Sequence, residues 1–167
     1  MVIQSQEAAE MKGRFQWRLD LEIRAAPEKV WEIADDLSMI PQYHPDVGAV
    51  TFLDGKQARA VGVKYQCNVL EGKGKGSCVE EVVEYVPHVK LSTRMGEDTW
   101  GLDRIFADFV VETTLVPRDD HTTLLRFEAF YDPIGVINTI LNPLILRRKT
   151  RDRSLSVMKG IKRLCEK

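Results

Sequence analysis

FQWRLDLEIRAAPEKVWEIADDLSMIPQYHPDV, residues 15–47, contains the change of period that decides the fold. In its first part Phe15, Trp17, Leu19, Leu21 and Ile23 alternate with Gln16, Arg18, Asp20 and Glu22. That period of two marks a strand with one buried face. From Pro27 the period becomes helical. Pro27 suits a first helical turn and Glu28 suits its positive end. Val30, Trp31, Ile33, Ala34 and Leu37 then form an apolar face at helical spacing, with Trp31 expected to anchor the helix on a sheet. Ser38 is expected to cap a second short helix that ends near Pro41 or Pro45.

Downstream the strand period returns and holds as far as Tyr131. Val47–Leu53 runs into an Asp54-Gly55 turn, and Val61, Val63, Tyr65, Cys67 and Val69 alternate with Lys64, Gln66 and Asn68. GKGKG at 72–76 lacks the spacing of a phosphate loop and reads as a hairpin loop into SCVEEVVEYV at 77–86. Val89, Leu91, Thr93 and Met95 predict the next strand, and GEDTWG at 96–101 a connection. Ile105, Ala107, Phe109, Val111, Thr113 and Leu115, then Leu125, Phe127, Ala129 and Tyr131, predict two more. Short loops favour antiparallel neighbours. Asp132-Pro133 then reads as a helix start, and Ile134, Ile137, Leu141, Leu144, Ile145, Leu155, Met158, Ile161 and Leu164 follow helical spacing. Asn142-Pro143 inside that run predicts a kink or a break.

The reading is an α+β fold: a curved antiparallel sheet of seven strands, two short helices after the first, and a long C-terminal helix over the concave face. One straight helix does not fill a strongly curved sheet, so a cavity is expected beneath it. Residues 1–13 read as an N-terminal tail and 14–167 as a single ligand-binding domain.

Composition narrows the function. The 167 residues are 44% apolar and 29% charged, with net charge −1. Arg147–Lys167 carries nine Lys/Arg against two acids, so +7 at this end balances −8 elsewhere. No apolar run approaches the ~18–20 residues of a membrane span. The opening MVIQSQEAAEMK, with Glu7 and Glu10, does not read as a secretory signal. Three scattered cysteines and no CxxC pair predict reduced thiols and a cytoplasmic protein. His44, His88 and His121 lie in separate segments, which predicts no metal site. Neither a dinucleotide nor a Walker fingerprint occurs, so no cofactor is expected.

The residues Ile23-x-Ala25-x-Pro27-Glu28-x-Val30-Trp31, Asp35-Asp36 and Tyr43-His44-Pro45-Asp46-Val47 resemble the opening of START-type, SRPBCC helix-grip proteins of the polyketide cyclase/dehydrase and lipid-transport group. Gly76, Glu80-Glu81-Val82-Val83-Glu84-Tyr85 and Leu155-x-x-Met158-Lys159 are similar too. The resemblance covers roughly residues 14–166 and implies the helix-grip fold. That fold hosts carriers, cyclases, receptors and oxygenase subunits, so function rests on the cavity.

On the inferred inward faces the lining is Val63, Val69, Leu91, Ile105, Phe109 and Phe127, with Ile137, Leu141 and Leu144 from the helix. Tyr65, Cys67, Thr93, Thr113 and Tyr131 are its polar members, and Tyr43 and Trp100 are placed at its edge. This mixture suits a hydrophobic ligand oriented by one or two hydroxyls: a lipid, quinone, isoprenoid or aromatic polyketide. The alternative is a polyketide-type cyclase or dehydratase in which His44, Tyr65 or Tyr131 polarises a carbonyl or moves a proton. Cys67 is expected to be inert through burial. Glu81 or Asp103 would be the best acid if either faced inward. Arg147, Arg148, Lys149, Arg151 and Arg153 offer a surface for an anionic membrane or an acidic partner. The absence of an aromatic platform among them argues against nucleic acid.

Overall fold

The computed structural model describes residues 12–99 and 101–167; residues 1–11 of the expected tail, and Trp100, lie outside that description. Among the described residues the strands are β1 (Phe15–Ile23), β2 (Val47–Phe52), β3 (Lys64–Val69), β4 (Ser77–Val86), β5 (Lys90–Gly96), β6 (Phe106–Asp119) and β7 (Thr122–Pro133). Between β1 and β2 lie α1 (Pro27–Asp35), a 3-10 turn (Leu37–Met39) and α2 (Ile40–Tyr43). After β7 come α3 (Gly135–Leu141), a π turn (Asn142–Leu146) and α4 (Arg147–Cys165), joined end to end.

The strands form one antiparallel sheet in the order β1-β7-β6-β5-β4-β3-β2. Sequence neighbours β1 and β2 therefore occupy opposite edges, and the two short helices between them must cross the sheet. Helix α1 packs on α4, β6 and β7, while α2 packs on α4 and β2. The alternation read in β1 buries Trp17, Leu19 and Ile23, and its outer Arg18 and Asp20 pair with Glu128 and Arg126 of β7 at 2.8 and 2.7 Å. Register shifts interrupt the ladders at Phe15/Trp17, Val47/Ala49, Val82/Glu84, Ala107/Val110 and Pro117/Asp119. Each bulge bends its strand, and together they curve the sheet around α4. Lys12 and Gly13, counted with the tail, already touch β6: Lys12 pairs with Glu112 at 2.6 Å, and the Gly13 N–H donates to the Asp108 carbonyl at 3.1 Å.

Several boundaries differ from the sequence reading for local reasons. Asp36, not Ser38, caps the 3-10 turn: its carboxylate accepts from the Ser38 N–H and hydroxyl at 2.8 and 2.7 Å. Pro41 stands in the first turn of α2 instead of ending it, because the missing N–H has no partner to lose there. Strand β7 continues through Pro133 and the helix begins at Gly135, whose φ of 80° breaks the extended chain. Asp132 is drawn into an ion pair with Arg14 instead of capping. Val61 and Val89 lie outside β3 and β5 and are exposed. In β6, Asp108 adopts φ 51° within the bulge, so the alternation slips by one residue and Phe106 and Phe109 both face inward. At Asn142-Pro143 the helix widens into a π turn and does not break, which accommodates the proline's missing donor. Trp31 is buried as expected, packed on Tyr85 and His88 with ring centroids 5.7 and 5.6 Å away.

Helix α4 buries Met158, Gly160, Ile161 and Cys165. Gly160 permits a close crossing with α2, since a methyl group there would overlap the Tyr43 carbonyl oxygen. A buried network ties the π turn to the sheet. The Tyr131 hydroxyl donates to Asn142 Oδ1 at 2.9 Å, Asn142 Nδ2 to Gln16 Oε1 at 2.9 Å, and Gln16 Nε2 to the Tyr131 carbonyl at 2.7 Å.

Candidate functional site

Between the concave face and α4 lies a cavity of about 830 Å³. Strands β5, β6 and β7 supply its apolar wall through Leu91, Phe106, Phe109, Val111 and Phe127, and α4 adds Val157 and Ile161. Lys149, Asp152 and Arg153 also line it and are exposed, so it reaches solvent along the first turns of α4.

One stretch of wall is polar and dry. The β3–β4 register sets Tyr65 opposite Glu80 and Cys67 opposite Cys78, with these side chains facing the cavity. Arg59, from the β2–β3 connection, inserts beside them with its side chain only 4% exposed. Its Nη1 donates to the Tyr65 hydroxyl at 2.8 Å, and that hydroxyl donates to Glu80 Oε2 at 2.6 Å. Arg59 Nε and Nη2 donate to the carbonyls of Asp35 and Ala34 at 2.9 and 3.3 Å. The Asp35 carboxylate lies 3.9 Å from Arg59 and accepts from the Tyr85 hydroxyl at 3.0 Å. The guanidinium thus holds α1, β3 and β4 together. Among the described residues Glu80 Oε1 meets only the Cys67 thiol, a weak donor at 3.8 Å.

The protonation states follow from this packing. Burial works against the charge on Arg59, but the surrounding Tyr65, Tyr43 and Glu80 oxygens outweigh it and raise its pKa. Burial raises the Tyr65 and Tyr43 pKa values, partly opposed by Arg59. Both phenols stay protonated at neutral pH. Burial and then Glu80 hold the Cys67 thiol protonated, which makes it a poor nucleophile. Burial, followed by the charge of Arg153, lowers the His44 pKa to about 4. Its Nδ1 accepts the Asp46 N–H at 3.2 Å, so the proton of the neutral ring sits on Nε2. His44 lines the cavity as a neutral ring at neutral pH.

Of the residues singled out from sequence, Tyr43, His44, Tyr65, Cys67, Val69, Leu91 and Thr93 line the cavity, as do Ile105, Phe109, Thr113 and Phe127. The others do not. Tyr131 is fully buried beneath Phe106 and Phe109, with its hydroxyl committed to Asn142. Val63 is buried in the core away from the cavity. Ile137 and Leu144 are exposed, and Leu141 is half-buried outside the lining. Trp100 lies outside the described residues. Glu81 faces away toward Lys64, 4.0 Å distant, and Asp103 is exposed.

Arg59 and Glu80 were missed. Cys78, Glu80 and Val82 share a phase, and pairing Cys78 with Cys67 would have turned Glu80 inward. Nothing local in QARAVG signals that Arg59 is buried. The basic stretch is also partly occupied: Arg153 pairs with Asp46 at 2.9 Å, and Arg147 donates to Gln16 Oε1 at 3.2 Å. Among the described residues no cluster of His, Cys, Asp or Glu could hold a metal ion, and no helix is long and apolar enough to cross a membrane.

Residues 14–166 match the family described as polyketide cyclase/dehydrase and lipid transport. The chain belongs to this family. Solved structures share the helix-grip fold across nearly its whole length. A norcoclaurine synthase from Thalictrum flavum is 15% identical over 98% of this chain and 91% of that one, with TM-score 0.69. A START superfamily protein from Mycobacterium smegmatis is 15% identical over 90% and 99%, with TM-score 0.64. An aromatase/cyclase from Streptomyces is 14% identical over 89% and 94%, with TM-score 0.62. No curated protein matches the chain. The likeness to these structures is one of fold.

Proposed function

We propose that this member of the polyketide cyclase/dehydrase and lipid transport family binds and carries a small, mainly apolar molecule. The ligand bears one hydroxyl or phenol, which is held at the Tyr65–Glu80 wall. Lipid, quinone, isoprenoid and aromatic polyketide scaffolds fit this description in their hydroxylated or reduced forms. One observation carries the reading: a cavity of about 830 Å³, apolar over most of its wall, with the Arg59–Tyr65–Glu80 chain at one place. Pockets of that size hold drug-sized ligands, and a few placed polar groups orient them. Tyr65 already donates to Glu80, so the polar capacity left for a ligand is acceptance at Glu80 Oε1.

The test combines native mass spectrometry of the chain purified from its source with fluorescence of N-phenyl-1-naphthylamine, a neutral apolar probe. A retained small molecule and saturable probe uptake are expected. Leu91→Phe with Val111→Phe narrows the cavity and should lower probe affinity at least about tenfold. Unchanged affinity in that variant would overturn the reading.

A second reading, cyclase or dehydratase action on a bound polyketide-like chain, is favoured by the cavity-facing Glu80 carboxylate. In that role Glu80 takes a proton from the carbon between two carbonyls, while His44 Nε2–H donates to a carbonyl oxygen. Glu80→Gln would then abolish turnover of a β-keto thioester while leaving its binding intact. Turnover at the parent rate in Glu80→Gln would exclude this role for the carboxylate.

A further inference from the structure

The helical run begins with a segment that buries nothing. None of the residues of α3 is buried, and Val136, Ile137, Ile140 and Leu144 are 77, 74, 59 and 68% exposed. From Ile134 to Leu146 the chain carries no charged side chain, and Arg147, Arg148, Lys149 and Arg151 follow at once. A contiguous exposed aliphatic patch marks an interaction surface, not a solvated helix. Along the same helix, hydrocarbon gives way to cations within one turn.

Among the described residues Arg148, Lys149 and Arg151 make no ion pair with the sheet or the short helices, and Lys149 lines the cavity mouth. Arg147 is tied to Gln16 and Arg153 to Asp46. Arg148 has a side chain 82% exposed, and among the described residues it pairs with Asp152 alone, an i,i+4 contact at 3.6 Å on the helix surface. Such pairs are weak. Arg151 is exposed as well. We propose that the exposed aliphatic side chains between Ile134 and Ile145 insert into the interfacial layer of an anionic lipid membrane, while Asn142 stays anchored to the sheet and Arg148 and Arg151 contact the headgroups. Aliphatic side chains beside a cationic belt match an acyl boundary beside an anionic surface. A second copy of the chain fits less well, since an isologous contact presents the same aliphatic and arginine side chains and supplies no anionic surface for the belt. The cavity opens along Lys149–Arg153, directly after the inserting segment. Docking would hold that opening at the membrane surface.

The test is co-sedimentation of the full chain with vesicles of phosphatidylcholine alone and of phosphatidylcholine with phosphatidylserine, at low and high salt. Binding is expected to the anionic vesicles and to weaken as salt rises. Arg148→Glu with Arg151→Glu should weaken it about tenfold or more, and Ile137→Glu with Ile140→Glu should remove it. These side chains are exposed, so unfolding midpoints should stay at the parent value. The salt titration requires no variant and keeps the test decisive if one fails to fold. Absence of binding to either vesicle, or equal binding by Ile137→Glu/Ile140→Glu and the parent, overturns the proposal. So does a dimer in light scattering that the same variant dissolves while vesicle binding is unchanged. The readout is vesicle binding alone, so its failure leaves the reading of the cavity untouched.

Discussion

Tyr65 accepts from Arg59 and donates to Glu80, so a single hydroxyl satisfies a buried cation and a carboxylate at once. Tyr65→Phe removes that bridge and leaves Glu80, among the described residues, with a thiol as its only donor. A loss of about 1–3 kcal/mol in urea unfolding is expected, the scale for orphaning a buried polar group. His44 supplies a pH signal. Its folded pKa is about 4, below the ordinary 6.5, so the unfolded chain takes up the proton more readily. Its contribution is complete above pH 6.5 and is lost as pH falls toward about 4. Thermal melts should show His44→Gln losing less stability than the parent across that window.

At the scale of elements, the crossing of α4 over α2 depends on Gly160. The obstacle is backbone, which cannot swing aside as a side chain would. Gly160→Ala should lower stability by about 1–3 kcal/mol and also disturb Tyr43 at the cavity wall. The π turn is held by Asn142, which is buried and bonded to both Tyr131 and Gln16. Asn142→Leu leaves Gln16 Oε1 with Arg147 at 3.2 Å and the Tyr131 hydroxyl with only a long contact to Thr150 Oγ1 at 3.5 Å, and should cost about 1–3 kcal/mol. Its unfolding midpoint should be rescued in part by Tyr131→Phe, which removes the poorly partnered hydroxyl. The break in the helix pattern at Asn142-Pro143 was legible because proline lacks a donor. That the helix widens there, with Asn142 as its tether, was not: the tether's partners lie on β1 and β7.

For the whole molecule, the cavity governs how stability depends on ligand. A molecule that enters only the folded chain should raise its stability by about 2.7 kcal/mol at a hundred times its dissociation constant. Thermal midpoints measured against ligand concentration check this, and the Leu91→Phe/Val111→Phe chain should show little rise. The charge skew also acquires a place. Part of the +7 is bound into the fold by Asp46 and Gln16, and Arg148 and Arg151 remain at the surface beyond the apolar segment.

By itself the sequence determined the order of elements, the antiparallel sheet and the covering helix. Those depend on periodicity and on proline, which are local properties of the chain. It also reached most of the cavity wall on β3, β5 and β7, where alternation runs unbroken through the lining residues. Only the tertiary structure decided the rest. The bulge at Asp108 shifted the phase of β6 by one residue and brought Phe106 inward. Tyr131, in phase with the lining, was covered by Phe106 and Phe109. Ile137 and Leu144 kept a perfect helical period yet face solvent, since periodicity says which side of a helix is apolar but not what packs against it. Arg59 and Glu80 meet through Tyr65, whose hydroxyl bonds to both: a buried charge is stable only beside polar partners, and these lie on other elements of the chain.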